Sequence, residues 1–283
     1  MRPNEIGKLK DFDNRAIYIT GGSSGIGLAT ARLLAAKGGH IVLLARDESK
    51  LAAARSEVEA VKRSPHQRIA SLSVDVTDPL KLRSKMVEAV ARFGPPDILI
   101  AGAGIVSNDL FENISLDAFD RVIKTNLYGV RNVIAALLPS IKTRGGRIAI
   151  IASMAGLVGM YGYTAYSTSK FALVGLAECL RSELKPHGIP VTLICPPEVT
   201  TPMVAEEDRT ISPESKAVKM MAGRLTAQYT ARAIVRAIQK RRFLVVPGKM
   251  ARLVYLGHRL TSGLTTRLTS DWMIRRVLKK NMP

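Results

Sequence analysis

The sequence predicts an α/β fold: a doubly wound sheet of about seven parallel strands with helices on both faces. Three observations predict it. Short apolar runs rich in β-branched residues recur along the 283 residues and alternate with helix-length stretches, the pattern of consecutive βα units. The first run opens directly into a glycine-rich turn and then a helix. A serine ends a later run, and a tyrosine and a lysine four residues apart open the helix that follows it.

Residues 15–20, RAIYIT, read as the first buried strand. They lead into Gly21-Gly22-Ser23-Ser24-Gly25-Ile26-Gly27 and then LATARLLAAKG, closed by Gly38-Gly39. Glycines there let the backbone turn sharply and let a pyrophosphate approach the helix N-terminus, where free N–H groups and the helix dipole favour anions. The spacing is G-x-x-x-G-x-G, and a simple tight turn is the bland alternative. Strand before and helix after favour a Rossmann-type dinucleotide cradle at Gly21, Ser23, Ser24, Gly25, Ile26 and Gly27.

The second strand, HIVLLA, ends at Arg46-Asp47. An acid at this place binds a ribose 2′-hydroxyl, whereas a cation holds a 2′-phosphate. Arg46 comes first after the apolar run, which favours NADP(H); the competing reading makes Arg46 a solvated cation and Asp47 the ribose ligand. A charged amphipathic helix follows, ESKLAAARSEVEAVKRS, with Pro65 closing it. The third strand, RIASLSVDV, ends at Asp75-Val76, where an acid can bond an adenine amino group. Residues 79–93 read as a helix. Pro95-Pro96 leads to DILIAGAG, whose Gly102, Ala103 and Gly104 leave room for a cofactor across the sheet edge. Residues 115–138 read as helical, with Asn126 between apolar neighbours, where a buried, helix-bending asparagine is the plain reading.

The run RIAIIAS ends at Ser153, so the serine hydroxyl emerges at the carboxyl edge of the sheet. In AYSTSKFALVGLAECLRSEL, Tyr166 and Lys170 share one helix face. An ammonium beside a phenol favours phenolate, so the expectation is a tyrosine pKa lowered from its ordinary value of about 10. After the strand PVTLICPP comes a mixed stretch, about 203–222, that reads as a lid loop over the site. The helix TAQYTARAIVRAIQK and the strand FLVVPG complete the sheet.

Composition narrows the options. Hydrophobic residues make up 47% and charged residues 23%, enough for one large core and unlike a disordered chain. The two cysteines, Cys179 and Cys195, lie in apolar surroundings without ligand spacing, which fits a reduced, cytoplasmic compartment; no metal site is expected. The N-terminal MRPNEIGKLKDFDNR is charged throughout and lacks a signal-peptide core. No apolar run approaches the roughly 18 residues that span a bilayer. The formal net charge is +19, compatible with nucleic acid, an anionic membrane or an anionic ligand.

The motifs together resemble the classical short-chain dehydrogenase/reductase family. The carriers are TGGSSGIG at 20–27, VDV at 74–76, AGAG at 101–104, TNLYGV at 125–130, Ser153, YSTSK at 166–170 and PPEVTTP at 196–202; the likeness runs from about residue 12 to 248. The resemblance implies a catalytic tetrad of Asn126, Ser153, Tyr166 and Lys170. Val199 and Thr201 match positions that hold the nicotinamide carboxamide and a phosphate. It also implies that Asn126 holds a water linking Lys170 to solvent, and that the protein is a homo-oligomer, a dimer or tetramer. Two departures stand out: Ala101-Gly102-Ala103-Gly104 replaces the usual Asn-Asn-Ala-Gly, and Pro196-Pro197 replaces Pro-Gly. Finer details (LLARDESKL, GLVGMYGYTAYSTSKFAL, CPPEVTTPMVAEEDRTISPESK) are similar to members reducing a long-chain 2-amino-3-ketone, a lipid-like substrate. Glu206, Glu207 or Asp208 could then meet the substrate ammonium, or simply form a solvated acidic loop.

Residues 249–283 form a basic extension to the 1–248 domain. Eight Lys or Arg residues face one acid, Asp271, so this segment carries +7 of the net charge. Leu253, Leu256, Leu260, Leu264 and Leu268 make an apolar stripe at helical spacing, with Trp272 beyond it. A basic amphipathic helix with an aromatic anchor predicts peripheral contact with an anionic membrane at its cytoplasmic face; the alternative is packing on the domain or on a second subunit. Nucleic acid is disfavoured, since no binding motif accompanies the charge. Three classes remain: a lipid ketone reductase at a membrane, a soluble carbonyl reductase for another hydrophobic ketone or alcohol of steroid or acyl type, and an NADP-binding scaffold, against which the intact Ser153, Tyr166 and Lys170 speak.

Overall fold

A computed structural model describes residues 11–281. Most of the N-terminal segment read above as lacking a secretion signal, and the side chain of Lys280, lie outside what is described. Among the described residues no helix is long and apolar enough to cross a membrane.

The strands are β1 (Ala16–Thr20), β2 (His40–Ala45), β3 (Ile69–Ser73), β4 (Ile98–Ala101), β5 (Arg147–Ile151) and β6 (Val191–Ile194), then β7 (Glu198–Thr200), β8 (Arg224–Thr226) and β9 (Leu244–Val245). Seven of them form one parallel sheet in the order β3-β2-β1-β4-β5-β6-β9. The order reverses between β1 and β4, and ligands of such sheets sit beyond the carboxyl ends at that reversal. The predicted fold class is thereby met. β3 stops at Ser73, short of the expected Val76, because Asp75 turns back to accept from the Thr77 amide (2.8 Å) and hydroxyl (2.8 Å).

Both faces of this sheet are covered, so the strands read as unbroken apolar runs although their side chains alternate. Tyr18, Leu44, Leu99, Ile150 and Leu193 point to one side. There they meet α3 (Pro79–Phe93), α5 (Gly129–Arg144) and α6 (Thr164–Leu184) through Met86, Leu137 and Leu173. Ile17, Leu43, Ile98 and Ala149 point the other way. They meet α1 (Gly25–Ala35), α2 (Glu48–Glu59) and α9 (Ala227–Gln239) through Leu34, Leu51 and Ile234. Burying each such side chain contributes roughly 1.5–3 kcal/mol.

Three stretches differ from expectation. The predicted helix over 115–138 is α4 (Leu116–Ile123), a π-helical turn at Lys124–Tyr128, and α5. The π-turn carries Asn126, so the helix is deformed at the candidate residue. The stretch read as a lid loop is built of α7 (Pro202–Glu207) and α8 (Pro213–Met220), bracketed by β7 and β8, which pair in parallel as a separate two-stranded sheet. Thr201 and Ser212 cap the two helices by accepting from Val204 N and Ser215 N, a local signal that the polar composition hid. The basic extension is two helices, α10 (Lys249–Leu260) and α11 (Leu264–Asn281). They are separated by a turn in which Ser262 and Gly263 both take positive φ (48° and 85°), so the leucine stripe bends there. Ala251 of α10 is part of the main core. Cys195 is buried, but Cys179 is exposed on α6, not apolar-packed as expected.

Candidate active site

The glycine turn sits at the carboxyl end of β1. Gly21 and Gly25 take φ of +69° and +53°, values that L side chains disfavour. A Cβ on Gly27 would stand 2.1 Å from the Gly21 carbonyl oxygen, and one on Gly21 2.8 Å from the Gly102 carbonyl oxygen. The turn therefore admits no side chains where its backbone folds on itself. Ser24 precedes α1 without capping it, so the amides of this helix N-terminus stay open to an anionic group. A Cβ on Gly25 would lie 3.0 Å from the Thr201 methyl, which places Thr201 across from the turn. The arrangement fits a dinucleotide pyrophosphate.

The departure at Gly102 has a steric cause. A Cβ there would be 2.8 Å from Ile151 Cδ1 and 3.2 Å from the Thr20 carbonyl oxygen. The Gly102 and Ala103 amides both donate to Thr20 Oγ1, at 3.0 and 3.2 Å, so β1 ties down this loop without an asparagine.

Ser153, at the end of β5, accepts from Ala155 N at 3.1 Å and hydrogen-bonds the Tyr166 hydroxyl. Tyr166 is pushed up to about 12: burial dominates, the Ser153 bond opposes it, and the Glu207 charge adds to it. The expected lowering by Lys170 is not what this geometry gives. Lys170 Nζ lies 5.5 Å from the Tyr166 ring centroid and donates to the Ile151 carbonyl at 3.3 Å. Desolvation of the buried phenolate is the largest cause and outweighs the Ser153 bond. Burial also pushes Lys170 down, to about 8. Asn126 is fully buried, exchanges bonds with Ile105 (Oδ1 from N, 2.8 Å; Nδ2 to O, 2.9 Å) and donates to Ser169 Oγ at 3.0 Å. Its amide is committed to protein partners, which makes it a brace between β4, α5 and α6. A Cβ on Gly104 would lie 3.1 Å from Asn126 Oδ1 and 3.6 Å from Lys170 Nζ, so these three residues meet.

The sequence-derived residues divide between two clefts. Ile26, Gly102, Gly104, Ser153, Tyr166, Lys170, Val199 and Thr201 line one cleft, of about 1150 Å³ out to its open mouth. Arg46 and Asp75 line a second with Lys81 and Lys85. Gly21, Ser23, Ser24, Gly25 and Gly27 form the turn at the sheet edge, Ala103 lies in the loop beside it, and Val76 and Asn126 are buried behind. Asp47 caps α2, accepting from Lys50 N at 2.9 Å, so its carboxylate already has a structural task, and Arg46 is the exposed cation at this strand end.

Sequence reasoning missed part of the first cleft. Tyr163, Glu198, Lys219 and Val218 line it, and so do Val254, Thr266 and Ser270 of α10 and α11. Tyr163 donates to Glu207, and the Tyr163 and Tyr166 rings meet edge-on at 6.2 Å. Of the three lid acids, Glu207 alone is buried beside the site; Glu206 pairs with Arg209 and Asp208 with Arg224. Glu198 had one signal, a carboxylate directly after the apolar ICPP run.

The family model described as short chain dehydrogenase matches residues 15–212. A 3-dehydrosphinganine reductase from Danio rerio is 39% identical over 222 residues, which is 78% of this chain and 67% of the relative. A 3-ketodihydrosphingosine reductase from Bos taurus is 36% identical over the same shares. Among solved structures, a short chain dehydrogenase from Mycobacterium paratuberculosis bound to NAD superposes with a TM-score of 0.76 at 26% identity, covering 86% of this chain and 99% of that one. The chain belongs to the short-chain dehydrogenase family, oxidoreductases that use a nicotinamide cofactor.

Proposed function

We propose that this short-chain dehydrogenase reduces 3-ketodihydrosphingosine to dihydrosphingosine with NADPH, Tyr166 giving the proton. The observation that carries the reading is the meeting of Ser153, Tyr166 and Lys170 in one cleft whose lining is largely apolar and includes Val254, Thr266 and Ser270 of α10 and α11. The similar reductases act on such a ketone by name.

The turn from Gly21 to Gly27 and the residues Val199 and Thr201 would hold the cofactor, with Asp75 and Val76 at its adenine end and Arg46 on the 2′-phosphate. Bound there, it supplies the hydride. Ser153 donates a hydrogen bond to the ketone oxygen as charge develops on it. Tyr166, with its pKa raised to about 12, is a protonated phenol at neutral pH and delivers that proton to the oxygen. Lys170 holds a positive charge over the ring below pH about 8 and assists the phenolate that proton transfer leaves. Asn126 positions Lys170 through Gly104 and α6.

The test follows NADPH absorbance with 3-ketodihydrosphingosine in mixed micelles, beside NADH. Arg46→Ala should raise the KM for NADPH by about 10- to 100-fold, the loss of one charge-assisted bond, and leave that for NADH in place. An unchanged NADPH KM removes Arg46 from the site. NADPH binding without turnover of this ketone moves the substrate to another hydrophobic ketone.

We also read 249–283 as a peripheral membrane element. Leu253, Leu256, Leu260, Leu264, Leu268 and Trp272 are all more than half exposed, with Arg259, Arg267 and Arg275 nearby. Substitution is a cleaner test than truncation, since Ala251, Val254 and Thr266 belong to the core and the cleft. Liposomes containing anionic lipid should co-sediment the wild type and release a Leu256→Ser/Leu260→Ser/Trp272→Ala variant. Equal retention of both leaves the stripe to a second subunit.

A further inference from the structure

The cleft that holds Ser153, Tyr166 and Lys170 also holds a charge cluster that no reaction step above uses. Lys219 Nζ contacts Glu207 Oε2 at 2.7 Å and Glu198 Oε1 at 3.1 Å. Arg224 meets Glu198 Oε1 at 2.6 Å and Asp208 Oδ2 at 3.2 Å. Three carboxylates thus share two cations, leaving the group one positive charge short. The shortage falls on the buried members: the side chains of Glu198, Glu207 and Lys219 are 1%, 3% and 9% exposed. Glu207 is further engaged by the Tyr163 hydroxyl. Glu198 Oε2, in contrast, is buried and has no hydrogen-bond partner among the described residues. A carboxylate oxygen out of water without a donor is costly, so an arriving donor or cation beside Glu198 would be favoured.

We propose that Glu198, backed by Glu207 and Lys219, receives the ammonium of a 2-amino-ketone whose carbonyl lies at Tyr166 and Ser153. The inference rests on the substrate reading above and deepens it by naming what selects the head group. Three features support it. Tyr163, Glu198, Glu207 and Lys219 line the same cleft as the catalytic tyrosine. The Glu207 charge is felt by the Tyr166 phenol, so the cluster stands close to the reacting carbonyl. An arriving ammonium supplies the missing charge and the missing donor together. A neutral ketone supplies neither, and discrimination follows from the buried carboxylate left unpaired.

The experiment compares 3-ketodihydrosphingosine with the same 1-hydroxy-3-ketone lacking the amine, in identical micelles with NADPH, for wild type and Glu198→Gln. Glutamine keeps an oxygen for Lys219 and Arg224 and deletes the charge. The variant should lose about 10- to 100-fold in kcat/KM on the amino ketone, the worth of one charge-assisted bond, and change less than about threefold on the deaminated one. Equal loss on both, or no loss on either, overturns the assignment. A wild type that reduces both ketones equally well also overturns it, while the reductase reading stands. A wild type that reduces neither sinks both readings. A second measurement needs no variant: octadecylamine should inhibit the wild type at least about tenfold more tightly than octadecanol in the same micelles. Equal inhibition rejects the ammonium site.

Discussion

Lys170 and Lys219 are both buried, both line the same cleft, and sit in opposite electrostatic settings. Lys219 is held between two carboxylates within 3.1 Å. Among the described residues Lys170 meets the Ile151 carbonyl at 3.3 Å and the face of the Tyr166 ring, and burial pushes it down to about 8. The first lysine is glue for the lid. The second is a buried ammonium without a carboxylate partner among the described residues, held by α6 over the Tyr166 ring. The contrast is between a buried ammonium with no carboxylate contact, Lys170, and one shared by two buried carboxylates, Lys219.

The strongest way to break this contrast is at the catalytic wall. Tyr166→Phe removes only the hydroxyl that Ser153 bonds, and reduction should fall by about two to four orders of magnitude, the usual worth of a positioned acid. The melting temperature should hold or rise, because a buried phenol loses its polar atom. A variant that keeps a tenth of the wild-type rate would remove the proton-donor role.

The lid wall should answer in stability. Lys219→Met leaves Glu198 and Glu207 buried and facing each other without their shared cation. Breaking such a group by deleting one partner costs about 3–5 kcal/mol, read as a lower urea midpoint. A midpoint within experimental error of wild type would mean that the lid charges are solvated and contribute little.

This division also explains what could be read from the sequence. The glycine turn, Ser153 and the Tyr166–Lys170 pair are local: their function depends on spacings of one turn of helix or one strand end, and such spacings survive in one dimension. The lid does not have that property. Tyr163 and Glu207 are 44 residues apart, Glu198 and Arg224 26 apart, and Lys219 and Glu207 12 apart. No short pattern announces that these will converge, so the segment looked like a polar loop. The helix-bending reading of Asn126 is met by the π-turn that carries it, where its amide bonds Ile105 and Ser169; the wider turn itself has no short signature. The tyrosine pKa was misjudged because spacing gives the face of a helix but not the height of an ammonium above a ring. There, burial of the phenol decides the sign and outweighs the Ser153 bond.

Lys170→Met gives the smallest effect on stability and the sharpest test of the contrast. An ordinary lysine titrates at 10.5, whereas Lys170 in the folded chain titrates at about 8. Between those values the unfolded chain binds more protons than the folded one, so wild-type stability rises with pH across that window. Below pH about 8 both states carry the proton and the full cost of burying the charge is present. Methionine has nearly the same shape and no charge, so at pH 7 the variant should be more stable than wild type, although inactive in reduction. Its advantage should shrink as pH rises above about 8 and vanish near 10.5. Urea unfolding at pH 7, 9 and 10.5 without cofactor reads this directly. A stability loss at pH 7, of the kind expected for Lys219→Met, would mean that Lys170 is compensated by its surroundings, and the two lysines would then be alike. A gain that stays constant with pH would trace to packing of the methionine and not to charge. The predicted gain is therefore identified by its pH window, because only a buried, unpaired ammonium produces stabilisation on removal that disappears as that ammonium loses its proton.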